Sequence, residues 1–203
     1  MATVIVVDYN PSWPTTFQQL HAHIWPAVQD IALTIEHVGS TSVPGLAAKP
    51  IIDMSIIVPS EREIVPAIER LATLGYEHLG NLGVEGREAF KRPEGTIAHN
   101  LYLCPQGSLG IRNHLAVRDY LRAHPETASA YGERKKRLAD EFPDDIDRYV
   151  DGKTDTILRI LREQGLSDED LSSVESANIF PAIPPAAVSQ NPDAAAPKAN
   201  RER

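Results

Sequence analysis

A chain of 203 residues, 42% apolar and 24% charged, suits one well-filled soluble domain and is too short for two large ones. Its formal charge of −8 disfavours unspecific binding to a polyanion, so long DNA or RNA is not expected as the main ligand, whereas a local basic pocket for one nucleotide is compatible with that total. The single cysteine, Cys104, excludes an internal disulfide and suits a reducing cytoplasm. No run nears the roughly 18 apolar residues of a membrane span, and the start, MATVIVVDYNPSW, has neither the basic nor the apolar region of a signal peptide.

In chain order, TVIVVDY reads as a short apolar strand or arm. SWPTTFQQLHAHIWPAVQDI predicts a helix opened by Ser12 and Pro14, with Phe17, Leu20 and Ile24 at helical spacing; Pro26 is expected to kink it or divide it in two. LTIEHV and IIDMSIIV alternate and are β-branched, hence strands. SEREIVPAIERLATLG predicts a helix capped by Ser60 with Glu63 three residues on and ended by Gly75. A polar, glycine-rich loop over 80–97 leads to a further strand, HNLYLC. Three helices follow: GIRNHLAVRDYLRAHP, then PETASAYGERKKRLADEF with Pro125 in its first turn, then PDDIDRYVDGKTDTILRILREQG ended by Gly165. Strands with one crossover helix, then a run of helices, predict an α+β fold: a mixed sheet with a helical second layer. Residues 166–203, rich in Ala, Pro, Ser and Asp, offer Ile179, Phe180 and Ile183 as their one large apolar cluster. They read as a disordered tail behind a folded domain of residues 1–165.

The stretch HVGSTSVPGLAAKPIID, residues 37–53, is not ordinary packing. Gly39 follows a strand and is free to adopt backbone conformations closed to other residues, and it lets a phosphate approach the main chain. Ser40, Thr41 and Ser42 supply hydroxyl and amide donors suited to a polyphosphate. Gly45 is a second turn point, and Lys49, held extended by Pro50, supplies a point charge. Asp53 lies inside an apolar strand, a costly place for a carboxylate without a partner. A Mg²⁺ ion is one such partner, since it is commonly held by one or two carboxylates plus substrate phosphates. Pairing of Asp53 with Lys49 or a helix arginine is the alternative.

These residues resemble the nucleotidyltransferase pattern of Gly-Ser, spacer and an acidic strand. More closely, HVGSTSVPGLAAKPIID resembles the signature of the GrpB (UPF0157) family, which also occurs fused behind dephospho-CoA kinase. The likeness extends over DYNPSWP, HNLYLCPQGS, HLAVRDYLRAHPETASAYGERKKRLA and YVDGKTDTI, about residues 6–163. The resemblance implies a nucleotidyltransferase-like mixed sheet with the glycine-serine turn and the Asp53 strand side by side. It also implies that Gly39 and Ser40 cradle a nucleoside triphosphate while Asp53 binds Mg²⁺ and serves catalysis.

One departure stands out. A strand period of two places residue 55 beside Asp53, and residue 55 is serine where the pattern has a second carboxylate. HNLYLC offers His99 and Tyr102 rather than a third. Two-metal chemistry is therefore not expected; one metal ion, or none with Lys49 as the cation, both remain open. Arg118 and Asp119 form either an inward salt bridge or a phosphate anchor. Lys135 and Lys153, each four residues beyond a tyrosine, either line the cleft or pack on the surface. His37, entering the turn, is a core residue or a pocket wall. GLAAKP lacks P-loop spacing, and no G-x-S-x-G elbow is present. Two functions follow: a nucleotidyltransferase acting on an unknown acceptor, or a degenerate module that holds a nucleotide, a CoA-like ligand or a partner protein without turnover.

Overall fold

The computed structural model describes residues 3–179. Helix α1 (Trp13–Val28) opens the fold and strand β1 (Thr34–Val38) follows. A single 3-10 turn (Ser40–Ser42) leads toward β2 (Ile52–Val58). Helix α2 (Ile64–Thr73) is entered through a further 3-10 turn, where the expected capping box forms: Ser60 accepts from the Arg62 N–H, and Glu63 takes the Ser60 N–H at 3.0 Å. Strands β3 (Glu77–Gly80), β4 (Glu88–Lys91) and β5 (His99–Pro105) precede α3 (Leu109–Ala123), α4 (Pro125–Glu141), α5 (Ile146–Glu163) and α6 (Asp168–Ile179).

The five strands form one mixed sheet in the order β1-β2-β5-β4-β3, with β2 and β5 parallel and the other pairs antiparallel. The fold is thus the expected α+β class, a mixed sheet flanked by helices with a helical second layer. The period of two sorts the side chains of β2. Ile52, Met54, Ile56 and Val58 join Leu101 and Leu103 of β5 in the main core, against Phe17, Leu20 and Ile24 of α1 and Ala67 and Leu71 of α2. The opposite face carries Asp53, Ser55 and Ile57, and Ile57 packs with Cys104 and Ile111 of α3. The sheet therefore separates an apolar face from the face on which chemistry can occur. Cys104 is fully buried in that second layer.

One open sequence expectation is decided and three others need correction. TVIVVDY is an arm joined by one antiparallel bridge, Val7 to Ala48, with both N–H···O bonds at 2.9 Å; that bridge pins the residue before Lys49. Pro26 falls in the last turn of α1, so it helps end one helix instead of dividing it. Residues 80–97 are not all loop, because β4 pairs with both β3 and β5 there. Residues 168–179 are not part of an unstructured tail: Leu171 and Val174 bury themselves against Leu161 of α5, so α6 belongs to the helical layer. Ile179, Phe180 and Ile183 as a cluster, with the rest of 180–203, lie outside the described residues. Among the described residues, no helix is long and apolar enough to cross a membrane.

Candidate functional site

Gly39 is where the fold demands its own sequence. Its φ of 67° and ψ of −173° lie in a region reserved for glycine. A Cβ added there would press on the Asp53 carboxylate, 2.8 Å from Cγ and 2.9 Å from Cβ. The register of β1 on β2 sets this closeness, since Val38 lies opposite Asp53. The turn is then tied internally. Ser42 Oγ donates to the Gly39 carbonyl at 2.6 Å, and Thr41 Oγ1 donates to the Ile51 carbonyl at 3.4 Å and lies 3.0 Å from His37 Nε2. Ser40 is the turn hydroxyl that remains directed at the cavity described below.

Parallel pairing of β2 with β5 puts Asn100 beside Asp53, and Asn100 Nδ2 donates to Asp53 Oδ1 at 2.7 Å. Burial pushes the Asp53 carboxyl above the usual range, opposed by the Asn100 bond and by the ammonium groups of Lys153, Lys49 and Lys135. Two residues on, Ser55 is fully buried and lies 2.9 Å from His114 Nδ1. Burial, helped by the Arg87 charge, pushes His114 down to about 3, so the pair is neutral at physiological pH. The second-carboxylate position is thus closed off by a serine-histidine contact.

What gathers around Asp53 instead is positive charge. Lys49 comes from the loop before β2, Lys135 from α4 and Lys153 from α5. Their amines lie over aromatic rings: Lys135 Nζ is 4.7 Å from the centroid of Tyr131, and Nζ of Lys49 and of Lys153 lie 5.7 and 5.4 Å from that of Tyr149. Lys135 is only 2% exposed, and its Nζ donates to Ser40 Oγ at 2.7 Å. Burial drives Lys135 down to about 7, with the Lys153 charge acting in the same direction and Asp53 opposing. Lys153 is driven to about 8 by burial and by Lys49, and Lys49 is lowered chiefly by burial.

Ser40, Thr41, Lys49, Asp53, Asn100, Tyr102, Lys135, Tyr149 and Lys153 share the walls of one cavity of about 190 Å³. Three amines against a single carboxylate give it a charge balance that suits an anion. A resident pair of metal ions does not fit this donor set: among the described residues no three His, Cys, Asp or Glu side chains converge, and the amines repel a cation that arrives without anionic ligands.

The other sequence candidates lie elsewhere. Ser42 turns away to its Gly39 bond, and its carbonyl takes Nε and Nη2 of Arg122. Arg118 and Asp119 do not line the cavity. Arg118 spans from Asp119 to Glu36 of β1, both at 2.7 Å, and donates to the His37 carbonyl, so it locks α3 to the sheet edge. A larger cavity of about 640 Å³ lies beside the turn, lined by Tyr9, Phe17, His37, Leu121 and Arg122 among others. Its walls are mostly apolar and lack a carboxylate, and His37, stacked on Phe17 at 4.8 Å, is pushed to about 4 by burial and the nearby arginines. The smaller cavity is the one that gathers the amines and the carboxylate. Sequence reasoning missed Asn100, Tyr102 as a wall and Tyr149; the period of two along HNLYLC pairs Asn100 with Tyr102 on one face and was the signal available for those two.

Residues 3–163 match the family described as GrpB protein. The UPF0157 protein YqkA of Bacillus subtilis (strain 168) is 38% identical over 154 residues, 76% of this chain but 45% of that protein, so the chain spans under half of its length. A dephospho-CoA kinase of Mycolicibacterium paratuberculosis is 28% identical over 73% of this chain and 43% of its own. The crystal structure of conserved protein GrpB from Enterococcus faecalis aligns with a TM-score of 0.70 at 34% identity, covering 79% of this chain and 99% of that one. With that coverage, and with the turn, the Asp53 strand and helices α3 to α5 in the matched region, the chain belongs to the GrpB family.

Proposed function

We propose that this protein binds the phosphate chain of a nucleoside triphosphate in the lysine-lined cavity and transfers the nucleotidyl group to an acceptor hydroxyl. The observation that carries the reading is the charge balance of that cavity: Lys49, Lys135 and Lys153 face one carboxylate, Asp53, beside a glycine-serine turn. At about 190 Å³ the space is smaller than the roughly 300–1,000 Å³ typical of a site for a drug-sized molecule. It accommodates phosphate groups and leaves the nucleoside at its mouth. Mg²⁺ enters as part of the nucleotide's own complex, with Asp53 as the single protein carboxylate available to it. Lys49 and Lys153 meet the phosphate charge. Asn100 keeps Asp53 oriented toward the cavity.

A second reading, a module that holds a phosphate-bearing ligand without turnover, is favoured by Ser55, which seals against His114 where the transferase pattern has an acid. The relationship to a dephospho-CoA kinase adds CoA-like molecules to the ligands worth testing under it. Asp53→Asn separates the two. Thermal-shift titration with triphosphates, nucleosides and CoA, with and without Mg²⁺, should show stabilisation by the phosphate-bearing ligands alone. In the variant, affinity for metal-free triphosphate should hold or rise, because a negative charge has been removed. Labelled-nucleotide transfer to small hydroxyl acceptors should fall about 10²-fold or more. A wild type indifferent to every triphosphate while folded would refute the transferase reading, and indifference to CoA as well would refute both.

A further inference from the structure

Lys135 is the most enclosed cation in the cavity, and its one hydrogen bond among the described residues goes to Ser40, not to Asp53. The 2.7 Å between Nζ and Oγ is the spacing of a nucleophile and its base. Ser40 sits on the cavity wall, partly accessible, while Thr41 and Ser42 use their hydroxyls within the turn. We infer that Ser40 is a nucleophile toward phosphorus and that Lys135 is the base that takes its proton. Only the identity of the electrophile, a nucleoside triphosphate, rests on the function proposed above.

The surroundings divide the lysines between two tasks. Lys135 is lowered to about 7, so a large fraction of it is neutral at physiological pH, whereas Lys153, at about 8, is mostly charged there. The groups facing Lys135 are Lys153 and Tyr149 of α5, Lys49 of the loop, Asp53 of β2 and Tyr131 on its own helix. Tyr149 stays a neutral phenol, pushed up to about 12 by burial. In the first step, neutral Nζ accepts the Oγ proton while Oγ bonds to the α-phosphorus. The bond from that phosphorus to the bridging oxygen breaks, and pyrophosphate leaves with its charge met by Lys49 and Lys153. In the second step an acceptor hydroxyl attacks the same phosphorus. Ser40 Oγ departs with the proton held by Lys135, and the acceptor's proton passes to solvent. Splitting one displacement into two easier ones explains how a site with a single carboxylate can support transfer.

The test uses the full chain and a fluorophosphonate probe, followed by peptide mass spectrometry and rates across pH 5–9. The expected result is an adduct on Ser40 whose rate rises with pH and levels off near pH 7. Lys135→Met should slow it by about 10²-fold or more and remove the inflection. No adduct on Ser40, a rate unchanged by Lys135→Met, or a wild-type profile without an inflection near pH 7 would overturn the inference; the last needs no variant to fold. ATP is added in parallel. Protection of Ser40 supports the nucleotide reading, whereas labelling that ATP leaves unaffected overturns that reading and leaves the serine-lysine pair standing.

Discussion

Gly39→Ala should lower the unfolding free energy by about 2–6 kcal/mol, measured by urea denaturation. Two costs add. The backbone at Gly39 occupies a region that other residues enter only at about 1–3 kcal/mol of strain, and the new methyl would overlap the Asp53 side chain, an overpacking penalty of about 1–3 kcal/mol. Gly45→Ala provides the control. Its φ of 79° is also left-handed, but nothing lies within 4 Å of the added carbon, so only the backbone cost of about 1–2 kcal/mol applies. If the two variants lose equal stability, the contact between the turn and Asp53 is not what reserves position 39 for glycine. The relief route for the overlap is displacement of Asp53, so the alanine variant should lose triphosphate binding even where it remains folded.

Lys135→Met should act in the opposite direction on stability. An ammonium 2% exposed, with no carboxylate bonded to it among the described residues, costs folding energy, and an unbranched apolar side chain of similar volume does not. The variant should gain about 1–4 kcal/mol at pH 7 in the absence of ligand. The pH dependence fixes the cause. The folded-state value, about 7, lies below the ordinary 10.5, so the unfolded chain binds the extra proton between those limits. The penalty is fully present below about pH 7 and is withdrawn as pH rises toward 10.5. Wild type should therefore gain on the variant by about 1.4 kcal/mol per pH unit over that window. Urea unfolding of both proteins at pH 7, 8 and 9 measures it. A variant less stable than wild type at pH 7, or a difference that does not change with pH, would show that Lys135 is structurally supported and not held in place for a ligand.

Much of this arrangement was legible in the sequence, because it is local. Gly39, Ser40 and Asp53 lie within fifteen residues, and the alternation of IIDMSIIV assigns Asp53 and Ser55 to one face without coordinates. The tyrosine-to-lysine spacing marked Lys135 and Lys153, and both lysines do lie over their tyrosines. What the chain does not display is register and docking. Asn100 meets Asp53 only because β5 pairs in parallel with β2 after a crossover of about forty residues. The direction of Lys135 and Lys153 toward the turn depends on how α4 and α5 pack, which no local pattern encodes. Arg118 shows the converse: a polar pair amid apolar neighbours had two readings, and the partner that decides it, Glu36, is far away in sequence. Strands β3 and β4 escaped notice because they are four residues each and carry charges, and α6 because two buried residues, Leu171 and Val174, suffice to dock a short helix.

The central claim is that the lysine cavity receives a polyphosphate, and proton linkage tests it most directly. ATP titrated calorimetrically into the full chain at pH 8.5, in two buffers of different ionisation enthalpy, reads both binding and protons exchanged. Lys153, at about 8, is mostly neutral at that pH, and an anion beside it draws a proton onto the amine. The account predicts binding with net proton uptake; binding without uptake, or no binding to the folded protein, would contradict it.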